Sequence, residues 1–137
     1  MSFAGFYGIA DSSFGNPEHQ VRLLLDARAC AVQLRCKSWP TEQVENLAWR
    51  VFPMCQAAGI PLIINDIVLP DCSNGTHLGQ QDGSLKRSDC PKGFLIGRST
   101  HSLSQLRAAI DEGVDYAGYG PIYTTQTKQG AGAAIGI

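Results

Sequence analysis

Apolar runs and helical repeats take turns along this chain. The run FAGFYGIA (3–10) predicts a first strand, because it is apolar, aromatic-rich and ends at Asp11. Asn16-Pro17-Glu18 then offers an N-cap, a proline at the first helical position and an acid in the first turn, and Val21, Leu24 and Leu25 share one face of the helix beyond them. CAVQL (30–34) predicts a second strand. The clearest helix follows: Val44, Leu47, Ala48, Val51, Phe52 and Cys55 recur at helical spacing, with Thr41 as cap, Gly59 closing it and Pro53 expected to kink it. IPLIIN (60–65) is apolar throughout, as a strand covered on both faces should be. From Asn65 to His77 no helical period is present, so the sheet resumes at THLG (76–79) with no proper helix before it. SLKRSDCP (84–91) has room for only a short helix before the strand GFLIG (93–97). Ser102 and Gln105 form a capping-box pair for a helix with Leu103, Leu106 and Ile110 inward and Gly113 past its end, and DYAGYG (115–120) predicts a sixth strand.

Strands alternating with helices predict an α/β fold built on a parallel sheet. The second strand extends into VQLRCK (32–37), where Gln33, Arg35 and Lys37 alternate with Leu34 and Cys36 and so point the same way. Their surroundings come from the other strand ends. Asp11 follows the first strand, Asn65 and Asp66 the third, Gln80 and Asp82 the fourth, Ser99 and His101 the fifth, and Thr125, Thr127 and Lys128 the sixth. In parallel α/β folds these C-terminal strand ends converge on the ligand-binding face. Gln33, Arg35 and Lys37 are therefore expected to face a site rather than bulk water. Two carboxylates, Asp66 and Asp82, then stand among lysines and an arginine, a balance that suits magnesium and a diphosphate.

Composition narrows the partners. A net charge of -1 over 137 residues supplies no basic excess for nucleic acid or an anionic membrane surface. Hydrophobic content of 44% with 17% charged residues is globular, and one domain accounts for the length. No apolar run approaches a membrane span, and MSFAGFYGIAD lacks the basic start of a signal peptide. Cys30, Cys36, Cys55, Cys72 and Cys90 are odd in number with no C-x-x-C spacing, which predicts reduced thiols in a cytoplasmic protein.

FYGIAD, VQLRCK, LIIND, HLGQQD, IGRSTH and DYAGYGPIYTTQTK, in this order from residue 6 to residue 128, resemble the successive motifs of the thiamine-phosphate synthase family. The resemblance implies a (β/α) barrel that joins hydroxymethylpyrimidine diphosphate to thiazole phosphate and releases diphosphate. It implies that Gln33 contacts the pyrimidine, that Arg35, Lys37, Asn65 and Lys128 bind diphosphate, and that Asp66 and Asp82 ligate magnesium. Ser99 would lie by the reacting centre and the diphosphate, and Thr125 and Thr127 would help hold the thiazole phosphate. Lys37, Ser99 and Lys128 are the residues expected to serve the chemical step.

A barrel of this type has eight strands and typically about 250 residues. The expectation here is an abbreviated TIM-type barrel over residues 1–128 with about six parallel strands, strands seven and eight missing, and a glycine- and alanine-rich tail over 129–137. Open edges invite pairing, which predicts a homo-oligomer or a tail that covers the gap. Two other readings stay open: a thiazole tautomerase-like enzyme of the same family, which would use His101, and a non-catalytic diphosphate-binding module. His77 is expected to be packed or hydrogen-bonded, His101 to serve a loop, a cap or acid–base chemistry, and Trp39 and Trp49 to serve packing.

Overall fold

A computed structural model of the chain describes residues 3–126 and 132–136. Its elements are β1 (Tyr7–Asp11), α1 (Pro17–Asp26), β2 (Ala31–Arg35), α2 (Thr41–Ala58), β3 (Leu62–Asn65), β4 (Gly75–Leu78), β5 (Leu95–Thr100), α3 (Leu103–Glu112) and β6 (Tyr116–Tyr119). All six strands lie in one parallel sheet in the order β1-β2-β3-β4-β5-β6. A flat sheet would hold β1 and β6 roughly 24 Å apart, at about 4.8 Å per strand spacing. Yet the hydroxyls of Tyr7 and Tyr116, from the first and last strands, are 2.8 Å apart. The sheet is therefore curled into part of a barrel, with those side chains on its concave side.

Alternation along each strand sorts the residues. Ala10, Val32, Leu34, Leu62 and Ile64 face outward and form the core with Val21 of α1 and Val44, Leu47, Ala48, Val51 and Cys55 of α2. Asn16 caps α1 through the His19 N–H at 3.1 Å, with Pro17 as its first residue. Thr41 is not the cap expected of it. It is the first helical residue of α2, after Pro40, which has no side-chain cap to give. Pro53 lies within α2. Gly59 and Gly113 end α2 and α3 in the left-handed region, at φ 68° and 81°.

The stretch between β3 and β4 has no helix, as the lack of period predicted, and SLKRSDCP contributes a single 3₁₀ turn, Arg87–Asp89. The capping pair on α3 holds: Ser102 Oγ accepts from the Gln105 N–H, and Gln105 Oε1 accepts from the His101 N–H at 2.8 Å. Its predicted inward face holds only at Leu106, which is half-buried. Ala109 is the buried residue, whereas Leu103 and Ile110 are 62% and 67% exposed. Among the other elements α3 packs chiefly on β5 and β6. Trp39 packs against the core, but Trp49 is half exposed on α2. Of the tail, the N–H groups of Ile135 and Gly136 donate to the carbonyls of Pro121 and Ile122 at 2.7 and 2.9 Å.

Candidate active site in the concave face

The concave face encloses a cavity of about 800 Å³. Ile9, Phe14, Tyr7, Tyr116 and Ala117 give it apolar and aromatic walls, and Gln33, Arg35, Asn65, His77 and Ser99 add polar groups. Strand register explains the grouping. Asp11 pairs with Arg35, Asn65 with His77, and His77 with Gly97, so side chains two apart on neighbouring strands meet at one level.

The floor is a connected hydrogen-bond network. Gln33 Nε2 donates to the Tyr7 hydroxyl at 3.0 Å, and that hydroxyl is 2.8 Å from the Tyr116 hydroxyl. Tyr116 lies 3.0 Å from His77 Nδ1, and His77 Nε2 lies 2.8 Å from Ser99 Oγ. Five strands thus contribute to one chain of polar contacts. Burial raises the pKa of both Tyr7 and Tyr116, so each phenol keeps its proton at neutral pH. Phe3 seals the level below, edge-on to both tyrosines with ring centroids 6.0 and 4.9 Å away. The Tyr116 ring crosses β5 at Gly97, where any side chain would overlap it.

Above the floor the charges gather. Arg35 Nη1 donates to Asp11 Oδ2 at 2.6 Å with both side chains mostly buried. Burial acts to raise the Asp11 pKa, but hydrogen bonds from Ser13 and the Arg35 charge outweigh it and hold the carboxyl below its usual range. Lys37 is half exposed at the rim, with Nζ 2.6 Å from Asp66 Oδ2. Asp66 adopts a left-handed φ of 65°, a conformation that aspartate tolerates better than most residues, and this turns the chain out of β3. Asp82 is exposed in the loop after β4 and accepts from the Gly79 N–H at 2.6 Å, while Gln80 Nε2 donates to the Ser99 carbonyl.

Of the residues singled out from sequence, Gln33, Arg35, Asn65 and Ser99 line the cavity. Lys37 and Asp66 form a pair just beyond it, and Asp82 stands on the neighbouring strand's loop. Thr125 is exposed and does not line the cavity, and Thr127 and Lys128 lie outside the described residues. His101 Nδ1 meets the Gly120 carbonyl at 2.6 Å, which ties the ends of β5 and β6 together. Tyr7, His77 and Tyr116 are among the lining residues that the sequence did not single out for the site. Their signal was phase: each sits an even number of residues before a polar residue or glycine at the same strand's end.

Residues 6–137 match the family model described as thiamine monophosphate synthase. The chain belongs to the thiamine monophosphate synthase family. It is 34% identical over 121 residues to the thiamine-phosphate synthase of Methanocella arvoryzae, covering 85% of this chain and 57% of that protein. It is 37% identical over 108 residues to the thiamine-phosphate synthase of Thermus thermophilus, covering 75% of this chain and 52% of that one. The chain thus spans between half and two thirds of the length of these curated relatives. Thiamine phosphate pyrophosphorylase from Pyrococcus furiosus has the same fold, with a TM-score of 0.78 at 24% identity, over 88% of this chain and 62% of that one. For a member of the thiamine monophosphate synthase family, the resemblance read from FYGIAD through DYAGYGPIYTTQTK is borne out, as is the partial barrel of six parallel strands.

Proposed function

We propose that this chain carries the thiamine-phosphate synthase reaction, joining hydroxymethylpyrimidine diphosphate to thiazole phosphate. One observation carries the proposal: a cavity with aromatic walls opens beneath a rim of Arg35, Lys37 and Asp66. A flat heteroaromatic ring fits such walls, and Gln33, Asn65 and Ser99 offer the few directional polar contacts that orient it. The diphosphate attached to that ring would then reach the rim cations, with Lys128 a further contributor.

In this reading the C–O bond between the pyrimidine methylene and diphosphate breaks, and its electron pair leaves with the diphosphate. The thiazole nitrogen then donates its lone pair to the methylene carbon and forms the new C–N bond. No base and no covalent nucleophile is needed. Arg35 and Lys37 stabilise the charge growing on the leaving group, and Ser99 is assigned a hydrogen bond to it. Ile9 and Phe14 help keep water from the cation. Thr125 and Thr127 are assigned to the thiazole phosphate.

Magnesium suits the donor set. Asp66 and Asp82 are hard oxygen donors on the loops after adjacent strands β3 and β4. Among the described residues no three His, Cys, Asp or Glu side chains are grouped to hold a metal by themselves. That arrangement fits an ion that takes one or two carboxylates and completes its shell with water and phosphate oxygens. When bound there, magnesium would neutralise diphosphate charge. Copies of the chain are proposed to self-associate, which the exposed Leu103 and Ile110 beside the edge strand β6 favour. A cytoplasmic location is proposed from five unpaired cysteines, and no described helix is long and apolar enough to cross a membrane.

The test is incubation of the purified chain with both substrates and magnesium. Thiamine phosphate and diphosphate should form in equal amounts. Diphosphate binding without any product would leave a non-catalytic binding module, and conversion of the thiazole substrate alone would point to tautomerase chemistry.

A further inference from the structure

We propose that Arg98 is a positioning residue for the metal rim, holding the Asp82 loop in place from the outer side of the sheet. The inference rests on the reading that Asp82 takes magnesium. Arg98 alternates with the inward Gly97 and Ser99 on β5, so its side chain leaves the sheet on the convex side. There it is 5% exposed. A charge so deeply placed needs matched partners. Its Nε and Nη2 donate to the two carboxylate oxygens of Glu112 on α3 at 2.9 and 2.6 Å. The remaining donors go elsewhere: Nη1 to the Gly79 carbonyl at 2.7 Å and Nη2 to the Gly83 carbonyl at 2.5 Å.

Those two carbonyls bracket Asp82. The turn between them closes on itself, since the Asp82 N–H donates to the Gly79 carbonyl at 3.2 Å and Asp82 Oδ2 accepts from the Gly79 N–H. Gln80 fastens the same turn from the inside through the Ser99 carbonyl. In a regular βα unit a helix after β4 would direct this loop, but residues 79–94 hold only one 3₁₀ turn. The guanidinium takes over that task. An apolar side chain could fill the same space, yet only the planar fork of arginine can gather a carboxylate and two carbonyls at once.

The test uses pyrophosphate as probe, titrated by calorimetry with and without magnesium, together with hydrogen exchange of the 79–83 amides in the metal-free protein. The metal-dependent gain in affinity is the readout, with Asp82→Ala as reference. Removing a residue that orients a metal ligand typically costs about 10–100-fold in metal affinity. Arg98→Met should therefore lose at least about tenfold of the magnesium-dependent gain and exchange its loop amides faster. Binding of pyrophosphate without metal should stay unchanged, because Arg35 and Lys37 are untouched. Should Arg98→Met fail to fold, Arg98→Lys decides, since it keeps the charge and loses the fork. Glu112→Gln should lower stability yet retain the gain, because the carbonyl contacts to the loop survive. A gain preserved in folded Arg98→Met or Arg98→Lys, with Asp82→Ala losing it, overturns the role of Arg98 alone. An equal fall in metal-free binding would reduce Arg98 to general stability. Magnesium dependence unaffected by Asp82→Ala would remove the metal from Asp82, and the proposal with it.

Discussion

Replacing Gly97 by alanine should disturb the cavity floor more than any change of one methyl group on the surface. The new Cβ would overlap the Tyr116 ring, with Cε1 and the hydroxyl oxygen both at 2.5 Å. The ring is not free to swing away, because its hydroxyl contacts both Tyr7 and His77. Forcing a methyl into a packed interior costs about 1–3 kcal/mol. Displacing the ring adds about 0.5–1.5 kcal/mol for each hydrogen bond lost. A total near 3 kcal/mol is expected, which for a chain of this size lowers Tm by roughly 10 °C. Thermal denaturation followed by circular dichroism measures it. The cycle is completed in a Tyr116→Leu background, where the overlap is gone and the cost of Gly97→Ala should shrink to below about 1 kcal/mol. An equal cost in both backgrounds, or none in either, would refute the claim that Tyr116 fills the space over Gly97.

Two further outcomes follow from charge and burial. Asp11 is held below the usual carboxylate range, so its ion pair with Arg35 contributes stability above about pH 4 that is lost as pH falls through the folded-state pKa. Asp11→Asn should therefore be less stable than the parent by about 2 kcal/mol at pH 7, with the gap closing toward pH 3 in urea titrations; a gap independent of pH would contradict this. Burial pushes the thiols of Cys36 and Cys55 up to about 11, so iodoacetamide at pH 8 should leave both unmodified in the folded protein and alkylate both in guanidinium, as read by peptide mass spectrometry.

Much of this architecture was legible because it is periodic. Val44 through Cys55 marked α2 by helical spacing, and the unbroken apolar run of β3 marked a strand covered on both faces. The polar strand ends announced Gln33, Arg35 and Asn65 as a group, since a parallel sheet must bring them to one end. What escaped depends on curvature and on neighbours. Tyr7 and Tyr116 are 109 residues apart and meet only because the sheet curls, which no local pattern encodes. Leu103 and Ile110 read as an inward stripe on α3, but a stripe is buried only where another element covers it. Arg98 stood in a motif between a glycine and a serine; its contacts to the Gly79 and Gly83 carbonyls depend on the helix-free loop that precedes its strand.

The proposed function requires that the concave face bind a pyrimidine diphosphate, with the ring in the cavity and the diphosphate at the rim. Calorimetric titration of hydroxymethylpyrimidine diphosphate in the presence of magnesium tests it most directly, with hydroxymethylpyrimidine and pyrophosphate as the two half-ligands and Arg35→Ala as control. The joined ligand should bind far more tightly than either half, Arg35→Ala should weaken it and pyrophosphate in parallel, and the bare pyrimidine should be unaffected by that change. Equal affinity for pyrophosphate and the joined ligand would mean that the cavity does not receive the ring, and the claim would fail.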